Sequence, residues 1–291
     1  MKNLKETLLA MARNAVRLNI GPKGGGTEAG RFGGAPDVPP DFVWPYFETA
    51  TFYDDTVKPR PLTFLAQFDC AALAPLDADG LLPHEGILSF FYETDSQPWG
   101  YDPKDAGCAR VFWFPDRTAL APAAFPADME EYFRFPSLPI RGCQAVEYPS
   151  YEEFPLSFLK ACPETSAGRK IWDVFDEARN ALPGYAEQPQ PCHRLLGWPV
   201  IIQDCMTQQC ELVSRGYYLG SGWKSIPEAE QKEAEETAWR EWLLLFQLDS
   251  GVTAENFDLM FGDCGSIYFY IRKEDLAARR FDRVWLIQQC C

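Results

Sequence analysis

Histidine is scarce in this chain of 291 residues, which has only His84 and His193. A hydrolase that activates a Ser or Cys nucleophile with an imidazole base would have to use one of them. Neither stands beside a Gly-x-Ser-x-Gly elbow, and both read more simply as surface or capping imidazoles. Paired metal ligands are lacking too. There is no Cys-x-x-Cys; Cys205 and Cys210 have no second pair in register, and Cys192-His193 and Cys290-Cys291 are adjacent pairs that rarely complete a tetrahedron. No metal and no cofactor are therefore expected. Gly24-Gly25-Gly26 through Arg31 lacks the Lys and the Ser or Thr of a phosphate cradle and reads as a flexible loop. Asp77-Ala78-Asp79-Gly80 begins like a calcium loop, but its twelfth position is Leu88 where a Glu is needed.

Long apolar runs are absent as well, and nothing approaches the ~20 residues of a membrane span. Leu8-Leu9-Ala10-Met11-Ala12 is short and closely bracketed by Glu6 and Arg13, unlike a secretory signal. A cytoplasmic location is the expectation, and the ten cysteines then read as free thiols. Cys70 and Cys264 border apolar strands and are expected to act as small core residues. Basic residues are in deficit: 27 Lys and Arg stand against 42 Asp and Glu, a net charge of −15. That argues against nucleic acid and anionic membranes as direct partners. It suits solubility, and it suits a basic protein partner through steering.

What the chain has in quantity is repetition. Arg31-Phe32-Gly33-Gly34-Ala35-Pro36 resembles Arg194-Leu195-Leu196-Gly197-Trp198-Pro199. Phe64-Leu65-Ala66-Gln67-Phe68-Asp69 resembles Leu244-Leu245-Phe246-Gln247-Leu248-Asp249. The blocks at 86–92 and 265–271, and at 109–114 and 282–287, follow in the same order. An ordered repeat of this kind predicts two similar halves packed as one body. Aromatics form 14% of the chain, and 21 Gly and 24 Pro punctuate short apolar runs, which reads as sheet with many turns. The expectation is an α+β fold: a pseudo-two-fold internal repeat with mainly antiparallel β-sheets and a few flanking helices. It forms a single compact domain over 1–291, with halves at about 30–116 and 193–289 and an asymmetric insert at about 117–192.

Strands are expected at 61–69, 86–92, 109–114 and 283–288. In the first, positions 62, 64, 66 and 68 face one way, and Leu65, Gln67 and Asp69 the other. A helix is predicted over 3–18 from the stripe Leu4, Leu8, Met11, Ala12, Ala15, Leu18. Another has Ser166 as N-cap and Ile171, Trp172, Phe175 and Ala178 on one face. A third spans 226–240 behind the capping-box pattern Ser225-Ile226-Pro227-Glu228, and a short one lies near 274–280.

Two groups of residues are candidates for function. Gln67, Asp69, Gln247 and Asp249 recur at matching positions. A Gln inside an apolar strand must find hydrogen-bond partners, so the four either specify turns or line a polar pocket between the halves. Glu228, Glu230, Glu233, Glu235 and Glu236 crowd one helix and present either a solvated face or a surface for a basic partner. No catalytic constellation emerges.

These blocks resemble the bacterial YwqG-like proteins, a domain-of-unknown-function family. The residues that carry the resemblance are Phe32 to Pro39 with Trp44-Pro45, Pro61 to Asp69, Gly86 to Tyr92, His193 to Gly197, Gln203-Asp204, Trp242 to Ser250, and Gly262 to Gly265. Ile271 to Leu276 and Phe281 complete it. It covers most of 30–288 and implies an α+β protein with antiparallel sheets; it brings no catalytic site. Some relatives look like immunity proteins that bind bacterial toxins such as nucleases in the cytoplasm. The function expected is thus a non-enzymatic protein that binds a cognate toxin. The alternative is an enzyme or small-ligand binder with a polar pocket between the halves.

Overall fold

The computed structural model describes residues 4–153, 168–185 and 191–291. Ten strands form one sheet: β1 (Arg13–Ile20), β2 (Thr27–Phe32), β3 (Thr63–Asp69), β4 (Ile87–Tyr92), β5 (Ala109–Phe114), β6 (Leu138–Glu147), β7 (Arg194–Leu196), β8 (Trp242–Asp249), β9 (Ser266–Arg272) and β10 (Trp285–Gln289). Their order is β10-β9-β8-β7-β1-β6-β2-β3-β4-β5, and every neighbouring pair is antiparallel. Six α-helices flank it among the described residues: α1 (Leu4–Ala10), α2 (Cys70–Leu73), α3 (Ile171–Asn180), α4 (Met206–Ser214), α5 (Glu228–Glu241) and α6 (Lys273–Ala277).

The sheet curls until its ends nearly meet, giving a mixed α+β fold around a barrel-like core. Phe68 and Phe90, from β3 and β4, pack on Phe246 of β8 at ring separations of 5.3 and 4.8 Å, although these strands lie far apart in the sheet order. Phe90 also meets Phe269 of β9 at 5.2 Å. Fully burying rings of this size stabilises the fold by roughly 1.5–3 kcal/mol each. The two ends of the sheet are joined by the loop after β4. Gln288 N–H donates to Trp99 O (3.1 Å), Trp285 Nε1–H to Gly100 O (2.9 Å), and Tyr92 OH to Gln288 Oε1 (2.9 Å). Gly100 has φ 77°, and a Cβ there would overlap Leu286 O, so the close approach requires glycine.

Strict alternation along β3 fails at one point. A bulge at Leu65 sets Phe64 against Phe91 and Ala66 against Phe90. Leu65 therefore joins Ala66 and Phe68 in the main core, while Leu62 and Phe64 pack outside with Phe91, so the expected 62-64-66-68 face is corrected. β8 bulges at Leu245 in the same way. Its residues are buried throughout because Leu243, Leu245, Phe246 and Leu248 face the core. Trp242 and Leu244 lie under Met206 and Cys210 of α4 and Ala238 of α5. The corner after β2 runs through Gly33 (φ 58°) and Gly34 (71°), and the end of β7 runs through Leu196 (58°) and Gly197 (75°).

The helix expected over 3–18 is α1 followed directly by β1. Val16, Leu18 and Ile20 alternate with Arg17 and Asn19, and pairing with β6 on one side and β7 on the other outweighs the helical stripe. Ser166 lies outside the described residues; α3 starts after Lys170, which makes no side-chain cap. The capping box at Ser225 does not form. Pro227 is the N-cap, and Gln231 Nε2 ties the helix start to Trp223 O (3.0 Å) and Ile226 O (2.8 Å). Cys70 is a buried core thiol, whereas Cys264 is exposed with φ 55° and packs in no core. The nine described cysteines are free thiols. No helix among the described residues is long and apolar enough to cross a membrane.

Candidate functional site

The four recurrent polar residues grip neighbouring chain. Gln67 Oε1 accepts from Asp37 N–H (2.9 Å) and from Arg31 (3.0 Å), and its Nε2 donates to Asp37 O (2.7 Å) and Ser89 Oγ (2.9 Å). Gln247 Oε1 accepts from Val200 N–H (3.0 Å), and its Nε2 donates to Asp249 Oδ1 (2.8 Å). Each glutamine thus satisfies itself on the outer face of the sheet by holding the loop that covers it. Asp69 caps α2, accepting from Ala71 and Ala72 N–H, and pairs with Arg117 at 2.6 Å. Asp249 is buried and accepts from Ser266 Oγ (2.8 Å), Gln247 Nε2 and Cys192 N–H (2.5 Å). The structure brings Gln247 and Asp249 together; Asp69 stands apart from them in its own turn.

The acidic helix is partly engaged within the chain. Arg215 pairs with Glu230 (2.5 Å), Glu233 (3.0 Å) and Glu211 (2.8 Å). Glu228 and Glu236 are exposed and Glu235 is half-buried, leaving a narrower acidic face than five glutamates suggest.

A more pronounced surface feature sits where the chain carries a hairpin, Tyr46–Thr49 with Lys58–Pro61. Asp54 braces its tip: it accepts from Thr56 N–H (3.0 Å), pairs with Lys58 (2.8 Å) and with Arg60 (3.0 Å), and its O accepts from Thr51 N–H (2.9 Å). The Lys58 bond, with those from Thr56 and Arg60, holds the Asp54 carboxyl well below the usual carboxylate range. Arg60 reaches on to Asp95 (3.5 Å) and donates to Thr49 O (3.1 Å). On this braced tip Phe52 and Tyr53 are 88% and 90% exposed and pack edge-on at 5.1 Å. Two adjacent aromatics so exposed have no role in this chain's own core.

Beside the tip lies an open cleft of about 610 Å³ between the hairpin, the loop after β4 and the Tyr218–Gly220 corner. Trp99 and Tyr218, 38% and 49% exposed, give it aromatic walls, and Glu48, Asp102 and Asp105 outnumber Lys104 around it. The loop is fixed from within. Asp105 accepts from Gly100 N–H (2.9 Å), Asp102 caps Lys104 N–H (2.9 Å), and Leu219 N–H donates to Tyr101 O (2.8 Å). Burial pushes the Asp105 carboxyl up and the Tyr101 phenol up to about 12. On the other side of the hairpin a smaller cavity, about 190 Å³, is again mostly acidic, with Glu93, Asp95, Asp128 and Glu130 facing Lys58 and Arg60. Neither cavity is lined by Gln67, Asp69, Gln247 or Asp249.

Sequence reasoning marks the loop at 97–103 as an interruption of the repeat but does not pick out the tip. The signal available was Phe52-Tyr53 between Ala50-Thr51 and Asp54-Asp55, an aromatic pair inside a turn-forming segment where a folded chain has little reason to keep one.

A nearly closed, ten-stranded antiparallel sheet with helices packed outside defines a mixed α+β protein, and it carries an exposed aromatic tip beside an acidic cleft. Residues 30–290 match the family described as Domain of unknown function (DUF1963), and the chain belongs to that family. No curated protein matches the chain.

Proposed function

We propose that this chain is a non-enzymatic protein-binding protein whose contact surface is the Phe52–Tyr53 tip and the adjoining cleft, and whose partner is a basic protein. The observation that carries this reading is the tip itself: two aromatics packed edge-on, almost fully exposed, held in place by the Asp54 brace. Exposed aromatics presented without a large ordering cost are what interface anchors require. The acidic surroundings and the net charge of −15 favour a cationic partner. With the resemblance to YwqG-like proteins, this supports a cytoplasmic immunity protein that occludes a toxin, for example a basic nuclease; nine free thiols accord with a reducing compartment.

The test is to co-express the chain with the product of a neighbouring toxin gene and measure protection and affinity. Phe52→Ser with Tyr53→Ser is expected to weaken binding at least about 30-fold, with unfolding unchanged. Full affinity in that double variant removes the tip from the interface, and absence of any complex with the wild-type chain sinks the immunity reading. Charge reversal at Glu228 and Glu236 separates the surfaces: the cleft predicts less than about a threefold change, a helix-centred interface far more.

We also read the sheet as two related halves, β2-β3-β4-β5 with β6 and β7-β8-β9-β10 with β1. The mirrored strand order, the matching bulges at Leu65 and Leu245, and the Arg31–Gln67 and Arg194–Gln247 cross-strand pairs support it. An experimental structure in which the β3–β4 and β8–β9 hairpins fail to superpose under one rotation ends that reading.

A further inference from the structure

A third cavity, about 220 Å³, opens where β1 and β8 begin and β7 and β9 end. Its floor is apolar: Leu196, Leu243 and Leu244 are buried there, and Leu81 is partly so. Its rim carries charges of both signs, Arg13 and Lys273 with Asp79. Among the described residues neither cation makes an ion pair, and Asp79 makes none either. Two cations and a carboxylate line one small cavity with no direct ion pair among them, an arrangement that suits a ligand carrying both charges.

Arg13 is held in place before any ligand arrives. Its guanidinium lies over the Trp198 ring, 3.5 Å from the centroid, and donates to Trp239 O (2.9 Å). Asp79 is fixed through Oδ2, which accepts from Asn14 N–H (3.0 Å), and Asn14 is itself held by Leu76 O and Gln144. Burial lowers the Arg13 pKa to about 10, with Glu153, Tyr270 and Asp79 opposing the shift, so the guanidinium remains charged at neutral pH. The floor is strained where it meets the rim: Leu196 is a left-handed leucine (φ 58°) followed by a left-handed Gly197. Such backbone persists where the surroundings over-determine it, and it clusters at ligand sites.

Size narrows the ligand. A cavity of roughly 150 Å³ accepts a six-carbon ring, so this one has room for about nine heavy atoms. We infer that the cavity binds a free aliphatic α-amino acid of about the size of leucine. Arg13 and Lys273 take the carboxylate, Asp79 takes the ammonium, and Leu81, Leu196, Leu243 and Leu244 enclose the side chain. The site is separate from the cleft and stands or falls independently of the partner-binding reading.

The experiment is calorimetric titration of the full chain with L-leucine, with 4-methylpentanoate (the same skeleton without the ammonium) and with 3-methylbutylamine (without the carboxylate). L-Leucine is expected to bind one per chain, with both analogues at least about tenfold weaker. Lys273→Glu and Asp79→Asn change exposed side chains and should each weaken leucine at least about fivefold, with thermal unfolding of the free protein unchanged. No heat or thermal shift with leucine up to about 10 mM, a concentration at which even millimolar affinity is visible, overturns the proposal. Equal affinity for leucine and 4-methylpentanoate, together with indifference to Asp79→Asn, overturns the amino-acid assignment.

Discussion

Asp249→Ala is expected to cost about 4 kcal/mol of folding stability, one of the two largest effects foreseen for this chain. The carboxylate is buried at the end of β8 and is the shared acceptor for Ser266 Oγ, Gln247 Nε2 and Cys192 N–H. Truncation leaves these buried donors without their acceptor, and Gln247 loses the contact that orients it toward Val200. Equilibrium urea unfolding checks this, and a loss under about 1 kcal/mol would show that the network is dispensable. Asp69→Ala supplies the contrast. That side chain caps a one-turn helix at the surface, and its loss should cost about 1 kcal/mol. Residues that match in sequence thus carry unequal energetic weight, because one is solvated and the other is not.

The second large effect is a pH dependence centred on His193. Burial pushes its pKa down to about 4, with Asp249 opposing and Arg194 adding to the shift. The geometry agrees, since His193 Nδ1 accepts from Asp249 N–H (3.1 Å), a bond that only an unprotonated Nδ1 can make. The folded pKa lies below the unfolded value near 6.5, so the stabilisation is complete above pH 6.5. Below it, the unfolded chain takes up a proton that the folded chain refuses, and stability falls until the pH reaches about 4. The expected loss over that window is about 3 kcal/mol. Carboxylates titrate in the same range, so the decisive measurement is a difference. His193→Gln keeps an acceptor but cannot be protonated, and its stability should fall less steeply with acid than the wild type's. Parallel curves would remove His193 from the acid response.

Much of this architecture is legible in the residues themselves. β3, β4, β5 and β10 stand within two residues of where their aromatic and β-branched runs put them, and α5 follows from its Glu- and Ala-rich composition. β1 is not legible, because Leu4, Leu8, Met11, Ala15 and Leu18 satisfy a helical period as well as a strand. Partners on both sides, which no local pattern reveals, decide the matter. β6 escapes for a related reason. It comes from the stretch 117–192, which reads as an insert, yet it pairs with β1 and β2 in the middle of the sheet. The glutamines announce themselves, since a polar amide in an apolar strand demands partners, but which loop each one holds depends on the fold. The tip is the converse case. Phe52 and Tyr53 look like ordinary core material in a list of residues, and only their place on a braced hairpin shows that they stand exposed.

The loop that carries Trp99 and Gly100 has a further consequence, for how copies of the chain behave toward one another. β10 is a terminal strand of the sheet, and an uncovered terminal strand is a template on which a second molecule can add its own backbone. Here Trp99 O already accepts from Gln288 N–H, and the Trp285 indole is tethered to Gly100 O, so part of that rim is occupied from within. At the other terminus, β5 exposes the guanidinium-bearing Arg110 among its aromatics, a charge that resists edge-to-edge stacking. A chain so rich in sheet and aromatics has reason to guard both rims, and the loop through Trp99 and Gly100 takes up part of one of them before a second copy can.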